Sequence, residues 1–282
     1  MIDYESLQAS TKFDDLAEPV PDEDAAPLDR STPPENMSTF QADYYRNGML
    51  ILPGFMNHKL IDAYCDRWMK DHDSWRPAHV AFRQVPELCE VAMWPPLMAI
   101  LGHLIGEEMG LSLSLTNWVS TERNIHQDDY LNPSFINNHY AACWFALADI
   151  HPDSGPFEYY PGTHKWPVMR KDKLLALYPP SMADDPNWPK WTEPVVVRTI
   201  QEKLDAEGRE PVKFLAKKGD VLIWSGRLVH RGSAPNVPGM ERRSLICHYS
   251  ALSKRRDMPN RTRFYSQYDD PAHPGQYKYF DV

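Results

Sequence analysis

Residues 111–119 read LSLSLTNWV, and here the periodicity of the chain changes. Apolar and polar side chains alternate along this stretch, as in a strand whose two faces meet different surroundings. Before it, apolar residues recur at helical spacing. HKLIDAYCDRWMKDH (58–72) sets Leu60, Ile61, Tyr64, Cys65 and Trp68 on one face, and a second helix is predicted near PPLMAILGHLIGEEMG (95–110). After it, short strands and turns dominate. HYAACWFALADI (139–150) reads as a strand buried on both faces, DSGP as a turn, and FEYYPGTHKW (157–166) as a strand entering a loop. EPVKFLAKKGDVLIWSGRLVHRG (210–232) supplies two strands around a Lys-Gly-Asp turn, and RRSLICHYSAL (242–252) a last one. There is no internal repeat. Helices first and many short strands afterwards predict a mainly β fold with flanking helices, a sandwich or barrel.

Toward the N-terminus, MSTFQADYYRNG (37–48) predicts a short helix capped by Ser38 or Thr39 and ended by Gly48, with MLILPGF (49–55) as the strand that follows. Residues 1–37 are rich in Asp, Glu, Pro and Ser and lack hydrophobic periodicity. They read as an acidic arm, partly disordered and solvated, ahead of a single domain over 38–282. Within that domain, 168–210 is a long excursion: a helical stretch (RKDKLLALY), then a loop rich in Pro and Trp (PPSMADDPNWPKWTEP).

Composition narrows the function. A hydrophobic fraction of 42% and a charged fraction of 24% are those of a soluble globular protein. A net charge of −9 argues against nucleic acid as a partner. Cys65, Cys89, Cys143 and Cys247 are widely spaced and read as reduced thiols. The acidic start MIDYESLQAS lacks the features of a signal peptide, and no apolar run is long enough to span a membrane, so a cytoplasmic protein is expected. Nothing in the sequence sets an oligomeric state.

The chemistry starts at NIHQDDY (124–130). In an extended strand His126 and Asp128 point the same way, since only Gln127 separates them. Alone, such a pair is equally consistent with a solvated loop. GDVLIWSGRLVH then places His230 at the end of an apolar strand, 102 residues after Asp128 (230 − 128). Two histidines and a carboxylate on one face of a metal form the facial triad of non-heme Fe(II), which leaves adjacent positions open for a chelating 2-oxoacid and O2. A distal carboxylate on that oxoacid calls for a buried arginine, whose fork binds carboxylate bidentately. Arg242 and Arg243 lie on the next strand, and alternation lets only one of them face inward.

Taken together and in order, these stretches resemble the phytanoyl-CoA dioxygenase family of Fe(II)/2-oxoglutarate oxygenases over roughly residues 37–252. The signatures are FQADYYRNGMLILPGF, HQD, CWFALADIHPDSGPFEYYPGTHK, GDVLIWSGRLVHRGS and RRSLICH. The resemblance implies a double-stranded β-helix (a jelly-roll, cupin-like barrel) with Fe(II) on His126, Asp128 and His230. It places the 2-oxoglutarate arginine at Arg242, counted back from Cys247-His248, and further cosubstrate contacts at Gln127, Trp144 and Ser233. Related halogenases carry a small residue where Asp128 stands, so hydroxylation of a small-molecule C–H bond or another oxidation is expected rather than halogenation, with 2-oxoglutarate and O2 converted to succinate and CO2. A non-catalytic barrel that binds or senses a metal or ligand is the rival reading. Trp188, Trp191 and Tyr178 are candidates for a water-excluding lid. Arg227, Arg231, Arg243, Asn137 and Asn138 hint at a polar, anionic substrate. His139, His164 and His248 read as structural histidines.

Overall fold

The computed structural model describes residues 3–269 and 277–281. Two sheets lie face to face. Seven described strands form the larger one, in the order Arg261–Phe264, Tyr277–Phe280, Met109–Val119, Glu241–Ala251, Tyr140–Ala146, Val221–Ser225 and Met49–Leu52. Four form the smaller: Arg123–His126, His230–Gly232, Phe157–Tyr159 and Val212–Phe214. The stretch 111–119 lies inside the strand Met109–Val119, and the next strand, Arg123–His126, belongs to the opposite sheet. The chain switches sheets repeatedly in this way, as a jelly roll requires. The strands on either side of Gly219 and Asp220 likewise lie in different sheets rather than in one hairpin.

Side-chain parity sorts the strands into layers. On the outer face of the large sheet, Leu111, Cys143, Phe145, Ile223, Leu245, Cys247 and Tyr249 pack against Leu60, Ile61, Tyr64, Leu97 and Leu101 of helices His58–Asp71 and Pro95–Ile105. The inner face sends Tyr140, Ala142, Trp144, Leu222 and Trp224 toward Phe157, Tyr159 and Phe214 of the small sheet. The strand Tyr140–Ala146 is buried at every position, as its unbroken apolar run predicts. Helix Thr39–Asn47 starts on Ser38, whose hydroxyl accepts from the Gln41 amide while Gln41 Oε1 accepts from the Ser38 N–H, and it stops at Gly48. The four cysteines are free thiols. No single described helix is long and apolar enough to cross a membrane.

Two expectations need correction. The Pro- and Trp-rich loop is shorter than predicted, because helix Trp188–Ala206 begins inside it. Pro189 sits in the helix's first turn, where its missing N–H costs nothing, and Pro194 is carried within the helix because Thr192, Val195, Val196, Thr199, Ile200 and Leu204 are buried on one side. The arm, moreover, is not merely solvated. Phe13 and Leu16 pack into a separate core cluster with Ile200 and Leu204, Leu28 joins the core on the outer face of the large sheet, and Arg198 donates to the carbonyls of Gln8 and Thr11. Asp29, with its side chain 3% exposed, pairs at 2.6 Å with the buried Arg227. Removing one partner of a buried ion pair strands the other, so Asp29→Ala should cost on the order of 3–5 kcal/mol in urea denaturation. A loss under about 1 kcal/mol would show that this ion pair does not hold the arm to the fold.

Candidate metal centre

His126 ends one strand of the small sheet and His230 opens its neighbour, and the two are paired residues across the ladder. That pairing brings residues 104 apart in sequence (230 − 126) to a ring separation of 4.3 Å. Asp128 lies in the turn after His126, where its N–H bonds to the Gly226 carbonyl at 2.7 Å. Gly226 must be glycine there: a Cβ would fall 2.0 Å from Asp129 Oδ1.

The ring orientations follow from hydrogen bonds. His126 Nδ1 lies 2.7 Å from the Asn124 carbonyl, and His230 Nδ1 lies 2.9 Å from the Leu228 carbonyl. A carbonyl only accepts, so Nδ1 carries the proton in each and Nε2 keeps its lone pair. Both Nε2 atoms converge on Asp128 Oδ1, at 3.5 and 3.8 Å, and all three ligand atoms lie within 4.8 Å of one another. The second oxygen, Oδ2, is held by the Trp224 indole N–H at 3.0 Å and the Tyr140 hydroxyl at 3.2 Å. Burial pushes His230 down to about 4, against the pull of Asp128, so its imidazole is neutral near pH 7. Burial works against ionising Asp128 too, but His230 and His126 together hold its carboxyl well below the usual carboxylate range. Two imidazoles that present Nε2 and one carboxylate are the donor set a divalent metal takes.

The site opens into a cavity of about 450 Å³. Leu113, Leu115, Leu131, Phe157, Trp224 and Ile246 give its apolar walls, and Asn117, Thr121, Arg123 and His248 its polar points besides the triad. Arg242 stands behind the wall. It is 2% exposed, bonds only the Gly155 carbonyl (2.6 Å, through Nη1), leaves Nε without a partner, and forms no ion pair among the described residues. Burial lowers it to about 10, so it is a cation at neutral pH. Gly232 lines the cavity beside it, and a Cβ there would sit 3.6 Å from Arg242 Nη1. A buried guanidinium with no counter-charge is costly, so this one fits an anionic cosubstrate. Arg243 faces the other way, paired with Glu241 at 2.8 Å and stacked on Trp118.

The remaining expected contacts are more distant. Trp144 is fully buried, packs edge-on to Phe214, and leaves its indole N–H unpaired inside the barrel. Ser233 donates to the Pro156 carbonyl at 2.7 Å, and the Gln127 amide donates to the Arg227 carbonyl at 2.6 Å. None of these three lines the cavity.

The proposed lid is not found. No residue of 168–210 lines the cavity; Trp188 packs on Tyr130, and Trp191 on Tyr178. From that excursion Glu193 pairs with the lining residue Arg123 at 2.8 Å. The cations and amides expected to favour an anionic substrate are also elsewhere. Arg227 is paired with Asp29, Arg231 with Glu158, and Arg243 with Glu241, while Asn138 is buried beside Ser225 and Asn137 lines a different cavity. His139 and His164 are structural as read, bonding the Asp24 and Tyr45 carbonyls. His248, read with them, also lines the cavity. Tyr140 and Trp224, which hydrogen-bond Asp128, were not among the site residues read from the sequence. Tyr140 shares strand parity with Trp144, which was the signal available for it.

Fold and donor set define a mononuclear 2-His-1-carboxylate enzyme on a jelly roll. The chain belongs to the phytanoyl-CoA dioxygenase family of Fe(II)/2-oxoglutarate oxygenases: the family model Phytanoyl-CoA dioxygenase (PhyH) matches residues 78–244, more than half of it. Solved structures share the fold. The epimerase SnoN of nogalamycin biosynthesis, in complex with Fe3+, alpha ketoglutarate and nogalamycin RO, is 17% identical with a TM-score of 0.56, over 84% of this chain and 93% of that one. The carbocyclase SnoK of the same biosynthesis is 18% identical (TM-score 0.54; 86% and 93% covered). EctD from S. alaskensis is 19% identical (TM-score 0.52; 93% and 91% covered).

Proposed function

We propose that this protein hydroxylates a C–H bond of a small molecule, using Fe(II) on His126, Asp128 and His230 and 2-oxoglutarate anchored by Arg242. The observation that carries the reading is the convergence of His126 Nε2, His230 Nε2 and Asp128 Oδ1 at the wall of a cavity backed by an unpaired buried arginine. When bound, Fe(II), 2-oxoglutarate and O2 together supply the oxidising power, with succinate and CO2 as coproducts.

The protein's own groups do the positioning. The Asn124 and Leu228 carbonyls fix both imidazole tautomers. Tyr140 and Trp224 occupy Asp128 Oδ2, so the carboxylate offers one oxygen rather than two. Arg242 meets a carboxylate with its guanidinium fork, and Trp144 and Ser233 frame that end of the barrel. The Gln127 amide, spent on Arg227, holds the loop that carries Asp128. Leucines 113, 115 and 131 with Ile246 keep the cavity walls dry.

The structural neighbours include an epimerase and a carbocyclase, so the fold alone does not choose the outcome. Asp128 argues against halogenation, because its carboxylate takes the place a halide would need, and hydroxylation is the oxidation proposed here. The test is product analysis under 18O2 with chloride present. One 18O in the product and matching succinate are expected, whereas a chlorinated or desaturated product from the unmodified protein would overturn the assignment.

A further inference from the structure

We infer that His248 selects the substrate, accepting a hydrogen bond from a hydroxyl or N–H group on an otherwise uncharged, largely apolar molecule. The inference rests on the oxygenase reading of the same cavity and adds the substrate class to it.

Proton bookkeeping identifies the acceptor. Tyr140 bridges two groups: its hydroxyl lies 3.2 Å from Asp128 Oδ2 and also contacts His248 Nδ1. A phenol has one proton to give. The carboxylate is the stronger acceptor, and Oδ2 has two lone pairs, which the Trp224 and Tyr140 donors fill. His248 Nδ1 must then be the donor to Tyr140. Burial disfavours a second proton on the ring, leaving a neutral imidazole whose Nε2 bears a lone pair. No described protein group bonds that Nε2, and the ring lines the cavity. An acceptor is therefore held rigidly, two hydrogen bonds from a metal ligand, with nothing of the protein to accept from.

The surroundings define the rest of the ligand. Leu113 is cross-strand to His248, and Leu115 to Ile246, so this acceptor sits in an apolar stretch of the wall, with Asn117 and Thr121 elsewhere on the lining. Leu115 and Leu131 line the cavity yet are 41% and 37% exposed, an apolar rim that a ligand would cover. Among the described residues lining the cavity, Arg123 is the one cation, and Glu193 already neutralises it. A phosphate-bearing thioester or a free acid would find no unpaired charge at this rim. An apolar body carrying a hydroxyl or an uncharged N–H group finds both its partners.

The test separates this inference from the oxygenase reading. The full-length protein is first given Fe(II) and 2-oxoglutarate without O2, and the visible charge-transfer band reports on the oxygenase reading alone. Binding is then measured by ligand-observed NMR on protein holding Zn(II) and 2-oxoglutarate. The probes are cycloalkyl and aryl alcohols of several ring sizes, each matched with its methyl ether and its carboxylic acid. A hydrogen bond to a neutral acceptor corresponds to about a 3- to 10-fold preference. The alcohol should bind tighter than ether and acid by that factor, His248→Phe should erase the preference with ether binding unchanged, and His248→Gln, which keeps an acceptor, should restore part of it. Equal zinc content in the variants excludes a loss through the Tyr140–Asp128 link. Alcohol and ether binding alike, the acid binding best, or no probe binding to protein that shows the band would overturn the inference. An absent band with the alcohol preference intact would instead overturn the oxygenase reading and leave His248 as the donor-recognising residue.

Discussion

Replacing either His126 or His230 by alanine is expected to abolish stoichiometric iron binding and with it nearly all turnover. Each histidine presents a lone pair that its own strand has oriented, through the carbonyls of Asn124 and Leu228. Even the loss of an outer hydrogen-bond partner to a metal ligand typically costs about 10- to 100-fold in affinity, and losing a ligand itself should exceed that. The remaining imidazole and Asp128 Oδ1 would hold the ion too weakly and leave its orientation free. His164→Ala is the matched control, because that ring is equally buried but bonds the Tyr45 carbonyl and is not one of the three converging ligands. Iron content by elemental analysis and succinate release are the measurements. Near wild-type values for either alanine variant would show that the metal is not where these three residues meet.

Arg242→Ala should raise the 2-oxoglutarate concentration needed for half-maximal activity by at least roughly 30-fold, since losing a buried charge-assisted pair costs on the order of 2–5 kcal/mol. Arg242→Lys should recover little, because an ammonium cannot reproduce the two parallel bonds of the fork. Arg243→Ala should change the requirement far less, as Arg243 points outward to Glu241 and Trp118. A second sign distinguishes a cosubstrate anchor from a structural residue. With no anion bound, Arg242 is an uncompensated buried cation, so Arg242→Met should leave the cosubstrate-free protein at least as stable as wild type. A strongly destabilised Arg242→Met, or Arg243 as the more sensitive position, would remove Arg242 from its role.

Much of this was legible in the chain because it is written in local spacing. The alternation at 111–119, the Ser38 cap and the apolar strand before His230 each announce an element within a few residues. The triad was legible because its members sit at strand ends, with His126 and Asp128 two residues apart. Tyr140, Trp224 and His248 were not: the first two occupy strands buried on both faces, where no polar alternation marks which side faces the metal, and His248 sits half-buried on a strand whose partners are distant in sequence. Their meeting depends on cross-strand register, such as His248 opposite Leu113 and Ala142, which no local pattern encodes. The helix Trp188–Ala206 was hidden by Pro189 and Pro194, whose tolerance depends on helix position and tertiary packing. The arm was misread because Phe13, Leu16 and Leu28 are too sparse in their acidic, Pro-rich setting to show a period, yet each finds a place in a core formed by distant segments.

The central claim is that one cavity holds Fe(II) on His126, Asp128 and His230 and 2-oxoglutarate against Arg242 at the same time. Anaerobic titration of the purified protein, followed in the visible spectrum, tests it most directly. A weak charge-transfer band should appear only when Fe(II) and 2-oxoglutarate are both present, saturate at one equivalent of each, vanish in His230→Ala, and require much more 2-oxoglutarate in Arg242→Ala. No band in wild-type protein, or a band indifferent to both substitutions, would contradict the account.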